Sequence, residues 1–253
     1  MIRFVGGGPG AADLLTVRAA RLLAAADVVV FAGTYLDAEV LGHCRPDVRL
    51  VDSADLTLDQ ITAELVTAHL AGQEVVRLCS GDPSLYSAVA EQTVRLDAVG
   101  VPWDVTPGVP AYAAAAAILG RELTVPLLSQ SVVLTRAQAR STAMPETEQL
   151  AAFAATGATL VLHLAITRIA ELADSLVADY GADCPVAVVY RASQPEQLVL
   201  HGTLATIAAQ VAEAGLRQAA VILVGRVLDP VRVGESYLYG AERDRSAKLA
   251  GRR

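Results

Sequence analysis

Residues 2–16 read IRFVGGGPGAADLLT: a short apolar run, the glycine-rich stretch GGGPG at 6–10, then Thr16 as the first residue suited to cap a helix. As a bare string, Gly6-x-Gly8-x-x-Ala11 fits the dinucleotide-binding fingerprint, and it follows a strand signal. Three features oppose that reading. Pro9 has no N–H to donate to a phosphate. The helix opens near Thr16, too late for its N-terminus to meet a pyrophosphate at the glycines. The second apolar run, 28–31, is followed by Ala32 and Gly33 with no acid for a ribose hydroxyl, and Asp27 lies at its wrong end. What remains is a bulk-free loop, bent by Pro9, at the carboxyl end of a first strand. In an open α/β sheet that is where ligands sit. The stretch reads as a surface on which a bulky flat molecule can approach the backbone, or as a tight turn and nothing more.

Outward from this loop the chain alternates strand and helix signals. Strands are expected at 2–5, 28–31, 75–78 and 103–105, and helices at 16–26, 58–70, 84–99 and 111–119. Beyond residues 120–126 the pattern restarts. Strands are expected at 132–134, 159–164, 186–190 and 220–224, with helices at 146–155, 166–179 and 204–214, and a turn at 228–230. The fold class is α/β, with two domains of similar size, 1–122 and 123–240, and a charged, disordered tail at 241–253.

Composition removes several function classes. Hydrophobic residues make up 53% of the 253 positions and aromatics only 4%, so the cores must be built from Ala, Val and Leu. A net charge of −7 disfavours nucleic-acid and anionic-membrane partners, which want a basic face. The uncharged run 111–119 is half of the ~20 residues that cross a bilayer, and the glycines interrupt any leader, so a cytoplasmic location is expected. The cysteines (Cys44, Cys79, Cys184) and histidines (His43, His69, His163, His201) share no ligand spacing, and no metal site is expected. The sole lysine is Lys248, which excludes Walker-type and Schiff-base chemistry and leaves cationic work to arginine.

Three more strand-end loops carry candidate chemistry. In RLCSGDPSLYSAV, 77–89, Gly81 and Pro83 fix a turn around Asp82, Ser84 can cap the following helix, and Tyr86 falls one turn in; the plain alternative is a charged helix start. In VTPGVPAYAAAAAILG, 105–120, two prolines stiffen a loop that opens a small-residue helix, whose N-terminus can receive a carboxylate or merely pack tightly. In VVLTRAQAR, 132–140, Arg136 and Arg140 lie four apart, as paired carboxylate forks or as solvated surface arginines.

These four loops, in this order, resemble the tetrapyrrole methylase family, S-adenosylmethionine (SAM)-dependent enzymes that methylate uroporphyrinogen and the later precorrins. The likeness rests on Gly6, Gly8, Pro9 and Gly10 with Leu14 and Thr16; on Arg77, Gly81, Asp82, Pro83 and Tyr86; and on Pro107, Gly108 and Val109. FAGTYL at 31–36, LTVPLLSQSVVLTRAQAR at 123–140 and ILVGRVLDP at 222–230 carry a finer likeness within the family. Ala11-Ala12 departs from the Asp-Pro that often follows GPG. The resemblance implies two α/β domains with the active site in the cleft between them, a homodimer, and SAM held largely by backbone. By motif, the cofactor contacts would be Pro9, Ser80, Gly81, Asp82, Leu85, Pro110 and Ala111 from the first domain, and Leu164, Ala192 and Ala220 from strand ends of the second. Asp82 and Tyr86 are the candidates for handling the proton lost on carbon methylation. A substrate with many acetate and propionate groups would meet Gly8 and the arginines Arg77, Arg121, Arg136 and Arg140. Methylation at another ring position, a metal-bound substrate, a nicotinamide oxidoreductase and a non-catalytic tetrapyrrole carrier stay open at this point.

Overall fold

A computed structural model describes residues 1–33, 36–137, 144–229 and 240. The chain divides into two compact units, Met1–Leu119 with Val189–Leu198, and Gly120–Val188 with the chain from Val199 onward. The junction falls beside the expected 122/123. The return of Val189–Leu198 to the first unit is something that chain order does not reveal.

The first unit runs β1 (Ile2–Gly6), α1 (Val17–Ala25), β2 (Val28–Phe31), α2 (Ala38–Leu41), β3 (Arg49–Asp52), α3 (Leu58–Leu70), β4 (Val75–Cys79), α4 (Val89–Ala98), β5 (Trp103–Thr106) and α5 (Ala111–Leu119). The strands pair in parallel in the order β3-β2-β4-β1-β5. Alternate residues serve opposite faces, as the pleat requires. Ile2, Phe4, Val28, Val30, Val75 and Cys79 pack with Ile61, Leu65 and Ala68 of α3 and Leu96 of α4. Val5, Val29, Val76 and Leu78 pack with Ala19 and Leu23 of α1. The chain therefore leaves β1 toward one face and neighbouring β4 toward the other. Adjacent strands with divergent exits open a crevice at their carboxyl ends.

Local chemistry explains the helices. Thr16 caps α1 by accepting the Ala19 N–H at 3.0 Å, as the sequence predicts. Thr57 and Gln60 form a reciprocal capping box on α3.

The second unit runs β6 (Val132–Arg136), α6 (Leu150–Ala154), β7 (Thr159–His163), α7 (Ile169–Tyr180), β8 (Pro185–Tyr190), β9 (Leu198–Thr203), α8 (Ile207–Glu213) and β10 (Ala220–Val224). Its sheet has the order β6-β7-β10-β8-β9. It is mixed: β7 lies parallel to β6 and antiparallel to β10.

Three expectations are corrected. The helix predicted over 84–99 begins only at Val89, because Tyr86 and Ala88 take left-handed φ values of 55° and 51°. Ser84 accordingly caps no helix, and Tyr86 stands on a turn. β3 and β9 were not expected; both are outer strands, and RLVD and LVLHGT carry too little apolar alternation to reveal them. The expected helices at 146–155, 166–179 and 204–214 are shorter, the first two opening with separate 3-10 turns at Glu146–Glu148 and Ile166–Arg168. The tail at 241–253 lies outside the described residues.

Candidate active site

β4, β1 and β5 are neighbours, so their carboxyl-end loops must meet. They do so backbone to backbone. Gly7 N–H donates to Cys79 O at 2.7 Å, and Gly8 and Gly81 exchange both N–H···O bonds, at 3.2 and 2.7 Å. The third loop arrives at Gly108. A Cβ on Gly6 would lie 2.5 Å from Gly108 N and Cα, and one on Gly108 only 2.1 Å from Gly81 O. No residue with a side chain fits at either place, which is the physical reason for glycine in both motifs.

Asp82 locks this junction. Its Oδ1 accepts the Ser84 N–H at 2.8 Å and the Ser84 hydroxyl, and its Oδ2 accepts the Gly108 N–H at 2.8 Å. Partial burial would raise its pKa. The Ser84 hydroxyl and the N–H groups of Gly108 and Ser84 outweigh that and hold it below the ordinary carboxylate value. A carboxylate so engaged is a poor proton acceptor. Asp82, expected to handle a proton, ties the loop after β4 to the loop after β5.

Pro9 is buried in this cluster, and Gly81 faces α5's start, where a Cβ on Gly81 would lie 3.7 Å from Pro110 Cα and Ala111 N. Pro110 O takes the N–H groups of Ala113 and Ala114, which leaves the N–H of Ala111 to a partner outside the helix. Ser80 and Leu85 are half-buried on the same rim, and Tyr86 is 46% exposed. Gly8, Pro9, Ser80, Gly81, Asp82, Leu85, Pro110 and Ala111 are thus brought to one end of one sheet.

Ala192 joins the first unit through its neighbours. Ser193 Oγ accepts the Ala11 N–H at 3.1 Å, and Gln194 Nε2 donates to Pro9 O at 3.3 Å. Both residues escaped the sequence reading. A Cβ on Gly10 would lie 2.2 Å from Gln194 Cγ, so the glutamine side chain packs against the bare backbone at Gly10.

Arg77, expected to meet substrate carboxylates, lies inside the first unit. It is buried, and its guanidinium donates to Gln92 Oε1 at 3.1 Å, Ser53 Oγ at 3.0 Å and Val30 O at 3.3 Å. Burial lowers its pKa, as expected for a cation out of water.

In the second unit Arg136 ends β6 opposite His163 of β7. Leu164 follows with a φ of 49°, and the β7–β10 register, Ile222 opposite Leu162, places Ala220 level with Leu164. Arg136, Leu164 and Ala220 thus share one edge of that sheet. Arg121 is half-buried in the stretch before β6, and Arg140 lies outside the described residues. No group of three or more metal-ligating side chains occurs among the described residues.

The loops after β1, β4 and β5 thus meet in a bulk-free junction of parallel-strand loops that Asp82 locks. The sequence profile of the Tetrapyrrole (Corrin/Porphyrin) Methylases matches residues 1–208, and the chain belongs to that family. It is 55% identical to a precorrin-4 C(11)-methyltransferase of Rhodococcus erythropolis, over 97% of this chain and 98% of that one. Among solved structures, a cobalt precorrin-4 methyltransferase superposes with a TM-score of 0.87 at 35% identity, covering 90% of this chain and 96% of the other. A uroporphyrin-III C-methyltransferase from Thermus thermophilus, complexed with S-adenosyl homocysteine, gives a TM-score of 0.75 at 29% identity, covering 93% and 96%.

Proposed function

We propose that this protein transfers a methyl group from SAM to C11 of precorrin-4, giving precorrin-5 in cobalamin biosynthesis. The observation that carries the reading is the likeness to the Rhodococcus enzyme over 97% of this chain and 98% of that one. The start of the nine-residue α5, which Gly81 faces, suits the methionine carboxylate of the cofactor. SAM supplies an electrophilic methyl and a neutral thioether leaving group.

The chain's own contribution is placement and exclusion of water. The loops after β1, β4 and β5 hold the cofactor through Pro9, Gly81, Pro110 and Ala111, with Ala192 beside them. Leu164 and Ala220 take the corresponding part in the second unit. Arg121, Arg136 and Arg140 receive macrocycle carboxylates as planar forks. Tyr86, exposed on its turn, is the side chain offered to the macrocycle, while Asp82 holds the loops in register. The protein acts in the cytoplasm. It does so as a homodimer, for which the exposed Trp103 and Val105 on outer strand β5 offer apolar surface.

A second reading, the same transfer to cobalt-precorrin-4, is favoured by the TM-score of 0.87 to the cobalt precorrin-4 methyltransferase. Incubation of the purified protein with methyl-labelled SAM and each macrocycle in turn, read by mass and carbon NMR, decides between them. Label at C11 of the metal-free product supports the first reading. Label only with the cobalt form supports the second, and label in neither sinks both. Light scattering of the same preparation tests the dimer.

A further inference from the structure

Gln92 is only 1% exposed and stands in the first turn of α4 with both ends of its amide engaged. Its Oε1 accepts from Arg77 Nε at 3.1 Å. Its Nε2 donates to Ala88 O at 2.9 Å and to Ser87 O at 3.4 Å. Those two carbonyls belong to the turn that carries Tyr86 and Ala88 at left-handed φ. Such a backbone costs energy for residues with a Cβ and persists only where its surroundings over-determine it. The Ser87 hydroxyl adds a second tie, donating to Leu85 O at 3.1 Å and toward Asp82 O at 3.4 Å.

Arg77 anchors the other end of this chain of bonds. Its Nη1 donates to Ser53 Oγ and Val30 O, and Ser53 Oγ donates onward to Phe31 O at 2.9 Å. Val30 and Phe31 are the last residues of β2, and Ser53 follows β3. One buried guanidinium therefore ties the ends of β2 and β3 to Gln92, and Gln92 carries that constraint to the loop. A buried amide cannot flip without presenting its NH2 to the guanidinium, so Arg77 also fixes which end of Gln92 faces the turn.

We propose that Arg77 and Gln92 are positioning residues for methyl transfer: acting through the amide of Gln92, they hold the 84–88 turn so that Leu85 faces the cofactor and Tyr86 the macrocycle. The inference rests on the function proposed above. It assigns the arginine of the RLCSGDP stretch to the loop's shape instead of to a substrate carboxylate.

The test uses full-length Gln92→Glu, Gln92→Met and Arg77→Met. Gln92→Glu keeps an acceptor for Arg77 and removes the donor to Ala88 and Ser87, so it separates the tether from general packing. The expected result is faster amide hydrogen exchange across 84–89 in all three variants. In Gln92→Glu a carboxylate oxygen faces the Ala88 and Ser87 carbonyls, so the melting temperature falls moderately, and at a temperature where the variant is fully folded KM for SAM or for the macrocycle rises about tenfold, the effect of losing one buried hydrogen bond's worth of ordering. Unchanged exchange over 84–89 and unchanged KM in Gln92→Glu would overturn the proposal. So would a KM increase in Arg77→Met without any change of exchange, which would return Arg77 to direct substrate contact. If Arg77→Met fails to fold, Gln92→Glu carries the test. Absence of methyl transfer by the wild type would refute the proposed function, whereas the exchange measurement would still decide whether the tether exists.

Discussion

Asp82 and Gly108 are 26 positions apart in sequence and joined by a 2.8 Å bond from the Gly108 N–H to Asp82 Oδ2, which couples the loops after β4 and β5. Asp82→Asn keeps one acceptor and turns the other into a donor facing an N–H group. A destabilisation of about 1–3 kcal/mol is expected, read by urea unfolding at neutral pH. The native pKa of Asp82 lies below its unfolded value of 3.8. Its contribution is therefore complete above about pH 4 and lost as pH falls through the native value. The wild-type stability curve should steepen below pH 4, and Asp82→Asn should lose that part of the slope.

The Gly6–Gly108 contact makes a sharper distinction. Gly108→Ala puts a Cβ 2.1 Å from Gly81 O and 2.8 Å from Gly6 Cα, all main chain that cannot swing aside. The expected cost is about 3 kcal/mol or more, with loss of cofactor binding. Gly100→Ala meets nothing within 4 Å but must hold a φ of 69°, and about 1–2 kcal/mol is expected with binding intact. Equal effects in thermal melts and calorimetry would contradict the close-approach argument.

His163 supplies a pH effect in a different window. Burial lowers its pKa from 6.5, because the imidazolium is disfavoured away from water. The unfolded chain then takes up the proton first as pH falls. Stability from this group is present above about pH 6.5 and is lost as pH drops through the native value. Urea midpoints between pH 7.5 and 5 should decline for the wild type and flatten in His163→Gln.

The thiols should differ from ordinary exposed cysteines. Burial pushes Cys79 and Cys184 up to about 11. At pH 8 their thiolate fraction is on the order of one in a thousand. Cys44, half-buried and also raised by burial, is the one to react first with a thiol reagent. At most one fast equivalent is expected natively, and three in denaturant. Rapid labelling of Cys79 in the native protein would contradict its place in the sheet core.

The sequence was most legible where local chemistry decides the outcome. Thr16 as a cap, the apolar runs of β1, β2, β4 and β10, and the alanine helix α5 all follow from propensity and pattern. It was least legible at β3 and β9, where an outer strand borrows its geometry from its neighbour. The turn at 84–88 misled for a related reason. SLYSAV has ordinary helical composition, and it is the bonds of Asp82 and Gln92 that hold it out of a helix.

Sequence by itself determined the family, because the spacing of Gly6, Gly8, Pro9, the SGDP stretch and the PGV stretch reflects loops whose backbone must stay bare. It also opposed the dinucleotide cradle, since Pro9 and the late cap at Thr16 are local facts. Only the tertiary structure showed where two charged residues of these motifs find their partners. Arg77 and Asp82 carry the chemistry a polyanionic substrate or a proton would call for, yet both are spent inside the first unit, on Gln92 and Ser53 and on Ser84 and Gly108. The reason is general: a charge that is desolvated must find partners, and those partners come from segments that are distant in sequence.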